Sequence, residues 1–264
     1  MSLSDIQFGE DQFHRPRVSG IDVITTLQHF AIITYVVDPD ALRPHVHERF
    51  ELDCIRREDG SPGALISVVP FLDLDFRFIR FPWFTWKFGQ TNYRAYVRDR
   101  QTGEHVAWFF GTSLDSWTVN IPKHIWKLPW HRGKIRFETS YDRSKNRYSC
   151  YEMETESSWA PASLKLEDTG VALDSLDGFA TLESGLVILT HPLKGYYHRR
   201  DGRLGSYSIW HDKLQMTIGN ATRAEFPLLE RLGLVRTGDT SNLHSVMIQP
   251  ATEFTIYLPP RPVS

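Results

Sequence analysis

Two lysines and two histidines sit among Ile, Trp and Pro in the stretch Asn120-Ile121-Pro122-Lys123-His124-Ile125-Trp126-Lys127-Leu128-Pro129-Trp130-His131. A lysine walled by apolar side chains and set beside a second cation has its charged form disfavoured twice, by desolvation and by like charge, so its pKa falls. A lysine that is neutral near pH 7 is a nucleophile able to add to a carbonyl. Lys123 and Lys127 are four apart, so one short helix would carry both on the same side, with Trp126 as an apolar wall nearby. The same spacing also fits two solvated lysines on a helix whose Ile125, Trp126 and Trp130 pack inward, which is where most lysines are found.

Other chemistries find less support. The close histidine groups, His45 with His47, His124 with His131 and His191 with His198, match no HExxH or comparable spacing, so no metal site is expected. Gly111-Thr112-Ser113 and Gly205-Ser206 do not form a GxSxG elbow, and no GxGxxG or GxxxxGK[ST] phosphate cradle occurs, which leaves chemistry without a cofactor. Asp73 and Asp75 alternate in Leu72-Asp73-Leu74-Asp75-Phe76 and would share a strand face, either as a carboxylate pair with one member protonated or as a solvated edge. His211, after Trp210, and His244 are candidates for polar side chains lining a barrel.

The elements that must hold these residues are mostly strands. Val23 to Val37 is rich in β-branched and aromatic residues, and Ala64 to Phe71 is a near-continuous apolar run suited to a strand covered on both faces. Asp38-Pro39-Asp40 opens a short helix with Asp38 as N-cap, ending near Glu48. Residues 72 to 88 are the densest aromatic segment and are expected as a loop over the core or as a mobile wall of a ligand site. Gln90 to Arg98 and His105 to Leu114 form a hairpin around Gln101-Thr102-Gly103-Glu104 that leads into the lysine stretch. Further strands are expected at 134 to 140, 147 to 156, 178 to 190, 205 to 210, 213 to 218, 245 to 249 and 254 to 258, with one later helix over Ala224 to Leu232 stopped by Gly233. The spacing predicts a mainly β fold, an antiparallel barrel or sandwich with few helices, as one domain over 23 to 264 behind a loosely held leader over 1 to 22.

With 30 basic and 32 acidic residues the formal net charge is −2, which gives no global attraction to nucleic acid. No apolar run approaches the ~20 residues that span a bilayer, so no membrane partner is expected. The two cysteines, Cys54 and Cys150, stand far apart without CxxC spacing and are read as free thiols of a cytoplasmic protein.

In order, Phe30 to Val37, Asp38-Pro39-Asp40-Ala41-Leu42-Arg43-Pro44, Phe50-Glu51-Leu52, Ser67-Val68-Val69-Pro70-Phe71, Asn92-Tyr93-Arg94-Ala95-Tyr96-Val97 and Ile121-Pro122-Lys123-His124 resemble the acetoacetate decarboxylase superfamily, most closely its YqjF-like branch. The resemblance covers most of residues 23 to 260. It implies a closed, strongly curved antiparallel barrel-like sheet around an apolar pocket, with Lys123 as the amine that forms a Schiff base with a small keto acid or other carbonyl compound. Two positions depart from the decarboxylase pattern: His124 stands where a second lysine is found, and Asn92 where an acidic residue is found.

On this reading Lys123 and His124 are the catalytic candidates, and Asn92, Arg94, Tyr96, Trp126 and His211 the ligand-binding ones. Arg94 or Arg43 would grip a carboxylate with both oxygens. Tyr96 shares the strand face of Arg94, and Tyr93 takes the other. Decarboxylation, aldol and dehydration reactions all fit an imine at Lys123. A barrel that binds its ligand without catalysis, and a homo-oligomer whose aromatic surface is the interface, are the competing readings.

Overall fold

The computed structural model describes residues 6–116 and 120–263. Residues 117–119, part of the connection into the lysine stretch, lie outside the described residues, as do the side chains of Asp11, Asn120, Ile121 and Pro122. The strands are β1 (Val23–Val37), β2 (Phe50–Leu52), β3 (Cys54–Arg56), β4 (Pro62–Phe78), β5 (Trp86–Asp99), β6 (His105–Leu114), β7 (Trp130–Arg132), β8 (Lys134–Asp142), β9 (Arg147–Glu156), β10 (Ala162–Ala172), β11 (Lys194–His198), β12 (Leu204–Trp210), β13 (Thr217–Glu225) and β14 (Leu243–Val263). The helices are α1 (Pro39–Leu42), α2 (Asn120–Ile125), α3 (Leu182–Thr190) and α4 (Pro227–Arg231).

The strands form one sheet in which β1, β4, β5, β6, β11, β12 and β14 follow one another and β14 pairs back to β1, closing a ring. From β14 the sheet continues through β13, β10, β9 and β8. Pairings are antiparallel except β6 with β11 and β6 with β7. The mainly β, strongly curved, barrel-like expectation is met. Closure is what a long strand such as β1 needs, since both its edges are then hydrogen-bonded.

The central parts of β1, β4, β5 and β6 are buried on both faces, which suits the apolar runs in their sequences. One face, carrying Ile33, Tyr35, Ile66, Val68, Tyr93, Ala95 and Trp108, packs with Leu164, Leu166 and Phe226 from the outer strands and the start of α4. The opposite face looks into the ring, where Phe30, Ile32, Leu65, Val69, Tyr96, Met247 and Phe254 enclose Ile188 and Leu189 of α3.

Several local expectations are met. Asp38 caps α1 by accepting from the Asp40 amide with Pro39 in the first turn, and Gly233 takes a left-handed φ of +71° just after α4. Others are corrected. Residues 182 to 190, expected as strand, are helical: Thr181 and Ser184 form a reciprocal capping box, and the helix is apolar all round because it is buried all round. A short apolar run bounded by turns has no period that separates buried strand from buried helix.

Residues 213 to 216 precede the strand they were expected to begin, and Ala224 and Glu225 end β13 before α4 starts. The aromatic segment 72 to 88 is neither a loop nor a cover: β4 runs on to Phe78 and β5 starts at Trp86, making a long hairpin with an exposed tip. Residues 6 to 22 are docked. The Trp210 indole donates to the Gln12 carbonyl, Tyr257 to the Pro16 carbonyl, and the Leu258 amide to Asp22.

Candidate functional site

Arg94 projects from β5 into the ring, where strand alternation also sends Asn92 and Tyr96. Its Nη2 donates to the Leu189 carbonyl at 2.9 Å and to the Tyr96 hydroxyl at 3.2 Å, and Nε donates to the same hydroxyl at 3.3 Å. The Tyr96 hydroxyl donates in turn to Leu189 at 3.1 Å and meets the Ser67 hydroxyl at 2.7 Å, which meets Thr34 at 2.8 Å. Leu189 ends its helix next to Thr190, and its carbonyl is one of the last-turn acceptors that an α-helix leaves open. The helix thus presents an acceptor to a cation inside the ring.

Arg94 is buried, yet among the described residues no carboxylate pairs with it. Buried charges are ordinarily paired, so this guanidinium is the unusual feature of the interior. Its neighbours are neutral. His211, stacked on Phe254 at 4.3 Å, has its pKa driven down to about 3 by burial, with His191 and Arg94 adding repulsion. His211 Nδ1 donates to the Asp212 carbonyl at 2.8 Å. Burial also raises the Tyr207 phenol well above its usual range, against the opposing pull of Arg94, so Tyr207 stays protonated.

Asn92 lies next to Arg94 on the same face. Its Oδ1 accepts from Thr112 Oγ1 at 2.8 Å and from Gln90 Nε2 at 3.0 Å, which leaves the amide NH2 as its free donor among the described residues. Phe109 is the cross-strand partner of Arg94, and its cluster with Leu128 and Tyr197 takes in Trp126, Trp130 and Tyr207. An aromatic wall therefore borders the polar strip of β5. A cleft of about 770 Å3 lies between residues 6 to 16 and strands β11, β12 and β14, lined among others by Val187, His191, Ile209 and Trp210, and it shares Tyr207 with the aromatic wall. His191 is buried there beside the Gln12 backbone, and burial lowers its pKa.

Asn92, Arg94, Tyr96 and His211 are thus brought together, and Trp126 joins the wall next to them. Lys123 is half-buried on α2, and its charge bears on His131, which is stacked on Trp159 at 4.0 Å on the opposite face of β7 from Trp130. His124 is exposed. Lys127 does not share a helix with Lys123, since α2 ends at Ile125 and Lys127 takes a left-handed φ of +59°. Its carbonyl accepts from the Arg200 amide, and the Trp126 carbonyl accepts from Arg199, so the segment is tied to the β11–β12 turn.

Two further readings are corrected. Arg43 donates to the carbonyls of Phe50, Val46 and His47, so its guanidinium ties down the turn after α1 instead of standing free to grip a carboxylate. Asp73 and Asp75 do not share a face, because a bulge with Asp75 at φ +56° breaks the alternation and leaves Asp73 buried and Asp75 exposed. Among the described residues no group of three or more His, Cys, Asp or Glu converges as a metal set. Sequence reading missed the Leu189 carbonyl, because a backbone acceptor has no residue signature; Tyr207 had only its place beside an apolar run to mark it, and His191 was noticed only for its spacing from His198.

The ring-closed curved sheet with this interior is the acetoacetate decarboxylase-like fold. An acetoacetate decarboxylase from Legionella pneumophila subsp. pneumophila str. Philadelphia 1 superposes with a TM-score of 0.57 at 14% identity, over 97% of this chain and 94% of that one. The enduracididine biosynthesis enzyme MppR complexed with pyruvate superposes with a TM-score of 0.58 at 12% identity, over 94% of this chain and 92% of that one. An acetoacetate decarboxylase-like enzyme from Sphingomonas wittichii RW1 gives 0.56 at 10% identity, with 94% of each chain covered. The chain itself belongs to the family DUF2071, described as an uncharacterized conserved protein, whose model matches residues 25–252. Comparison with curated proteins finds no match.

Proposed function

We propose that this protein binds a small keto acid, or another carbonyl compound bearing a carboxylate, inside the ring, with Arg94 as the carboxylate anchor. The observation that carries this reading is the buried Arg94 guanidinium without a carboxylate partner among the described residues. A guanidinium binds a carboxylate through two parallel hydrogen bonds, and in a low-dielectric interior beside neutral His211 and Tyr207 an anion would supply the counter-charge. The Asn92 amide supplies a donor beside it, and Phe109, Tyr197 and Tyr207 supply an aromatic wall. The pyruvate complex of MppR, a protein of the same fold, agrees with a ligand of this size and charge.

Lys123 is the proposed amine. A lysine nitrogen adds to a carbonyl through its unprotonated form, and uptake of one proton from solvent with loss of water gives a protonated imine that withdraws electrons from the adjoining carbons. A carboxylate held by Arg94 is stabilised as an anion, which favours reactions that keep it, aldol addition or dehydration, over loss of carbon dioxide. Binding without catalysis is the second reading. It is favoured by the exposure of His124, the neighbour expected to repel a proton from Lys123, and by the bearing of Lys123 on His131.

The test is reductive trapping: pyruvate, acetoacetate and longer keto acids are incubated with the protein and sodium borohydride, and Lys123 is examined by mass spectrometry. A reduced adduct at Lys123 that disappears in Arg94→Met supports both roles. Calorimetric binding that depends on Arg94 with no adduct across the panel leaves the binding function and removes the imine. Neither adduct nor Arg94-dependent binding rejects the proposal.

A further inference from the structure

Exposed aromatic side chains are concentrated at one place on this molecule. Trp83 is 69% exposed, Phe84 58% and Phe81 44%, all at the tip of the β4–β5 hairpin, and every residue from Arg80 to Lys87 is exposed. Ile21, 47% exposed, borders them, because the flanking Gly20 and Asp22 carbonyls accept from the amides of Arg80 and Ile79. A contiguous apolar surface of this kind marks a site of interaction. The tip is built and not loose: Phe81 and Trp83 meet edge to face at 6.0 Å, Trp83 and Phe84 lie 6.3 Å apart, and Phe78 and Trp86 pack below them.

Two further features decide what covers it. The amides of Ile79, Arg80, Phe81 and Phe84 all donate to carbonyls, and Pro82 has no amide hydrogen. The amides of Trp83 and Thr85 have no backbone partner among the described residues, so the tip suits the hydrated headgroup boundary, where water reaches them, and not the hydrocarbon core. Arg77, Arg80 and Lys87 stand within residues 75 to 88, where Asp75 is the single carboxylate, and none of the three is in an ion pair among the described residues. The segment is cationic in a chain whose formal net charge is −2. A second copy seated symmetrically on the tip would set these unpaired cations against their own equivalents.

We propose that the β4–β5 hairpin tip seats this protein on an anionic bilayer surface. Trp83, Phe84 and Phe81 enter the headgroup boundary, where tryptophan is favoured, and Arg77, Arg80 and Lys87 contact lipid phosphates. No helix among the described residues is long and apolar enough to cross a membrane; the tip lies against one. The expectation of no membrane partner came from the lack of a spanning run, which does not bear on surface contact.

Co-sedimentation of the full chain with phosphatidylcholine vesicles, and with vesicles that also contain phosphatidylglycerol, tests this. The protein is expected to pellet with the anionic vesicles at low salt, to be released by added salt, and to show a blue-shifted tryptophan emission when bound. Arg80→Glu should weaken partitioning at least about fivefold, the effect of one lost cation at the surface. Trp83→Ala with Phe84→Ala should abolish it while leaving the unfolding midpoint in place, since both side chains are exposed. Failure to pellet with anionic vesicles overturns the proposal, as does binding that the double variant retains. Concentration-dependent self-association that the double variant loses, without vesicle binding, assigns the tip to a second copy instead.

Discussion

The guanidinium of Arg94 and the hydroxyl of Tyr96 donate to one acceptor, the Leu189 carbonyl, at 2.9 and 3.1 Å. The two donors come from one face of β5 and the acceptor from the end of α3, so the helix is pinned to the strand through a cation that has no ion-pair partner among the described residues. Functional and structural roles of this cation separate on replacement. Arg94→Met keeps much of the side-chain length, removes an unpaired buried charge and leaves Leu189 to Tyr96. Such exchanges are neutral or stabilising, so the urea midpoint is expected to hold or rise while keto-acid binding measured by calorimetry is lost. A loss of about 3–5 kcal/mol on Arg94→Met, the range for a broken buried ion pair, would mean that Arg94 is structural.

Tyr96→Phe should behave in the opposite way. It removes the hydroxyl that meets Ser67 and donates to Leu189, leaving buried polar groups short of a partner. The expected cost is about 1–3 kcal/mol in denaturant unfolding, with the Arg94 guanidinium still present to hold a carboxylate.

Asp73 provides a pH dependence with a defined sign. Burial pushes its carboxyl up from 3.8 to about 7, although Thr25 Oγ1 donates to Oδ1 at 2.9 Å. The unfolded chain gives up this proton near pH 4 and the folded chain near pH 7, so unfolding releases a proton throughout that window and stability falls as pH rises across it. Asp73→Asn keeps an acceptor for Thr25 and removes the titration. At pH 8 the variant should be the more stable by on the order of 4 kcal/mol, with the two proteins converging toward pH 4, as read by urea unfolding at a series of pH values.

His131 has the reverse sign. Burial lowers it from 6.5 to about 4, with Lys123 and Arg200 adding repulsion. The unfolded chain takes up a proton near pH 6.5 that the folded chain refuses until about pH 4, so acidification between these values weakens the fold. In an NMR titration the His131 midpoint should lie near 4 and move upward in Lys123→Met, which removes one of the two cations. An unmoved midpoint would place the Lys123 amine out of reach of His131.

What sequence revealed and what it hid divide along physical lines. β1, β4, β5 and β6 were legible because long apolar runs with turn residues between them permit little else, and the shared face of Arg94 and Tyr96 follows from the twofold alternation of a strand. The pairing of Asp73 with Asp75 failed because a bulge resets that alternation, and nothing in Leu-Asp-Leu-Asp announces a bulge. The helix α3 was hidden because a helix buried on all sides loses its polar stripe, although Thr181 and Ser184 carried its start signal. The meeting of Arg94 with the Leu189 carbonyl was beyond reach, since it joins residues nearly a hundred positions apart through a backbone acceptor.

Gly111 tests the link between β6 and the lysine segment. It follows Phe110, the residue left over where the pairing of β5 with β6 shifts register, and a Cβ there would stand 2.7 Å from the Trp159 indole and 2.9 Å from the Pro129 carbonyl. That carbonyl accepts from the Thr112 amide at 3.1 Å, and Thr112 in turn donates to Asn92. Neither neighbour yields easily: Trp159 is held between Tyr93, at 5.6 Å, and the His131 ring, and Pro129 is backbone. Gly111→Ala should therefore cost about 1–3 kcal/mol in urea unfolding, as overpacking does. By pushing Trp159 off His131 it should also expose the imidazole and raise its NMR midpoint from about 4 toward 6.5. Because Asn92 hangs from Thr112, keto-acid affinity should fall in the same variant, whereas Gly103→Ala, at a turn glycine with nothing within 4 Å of its added Cβ, should leave both the His131 midpoint and the affinity unchanged.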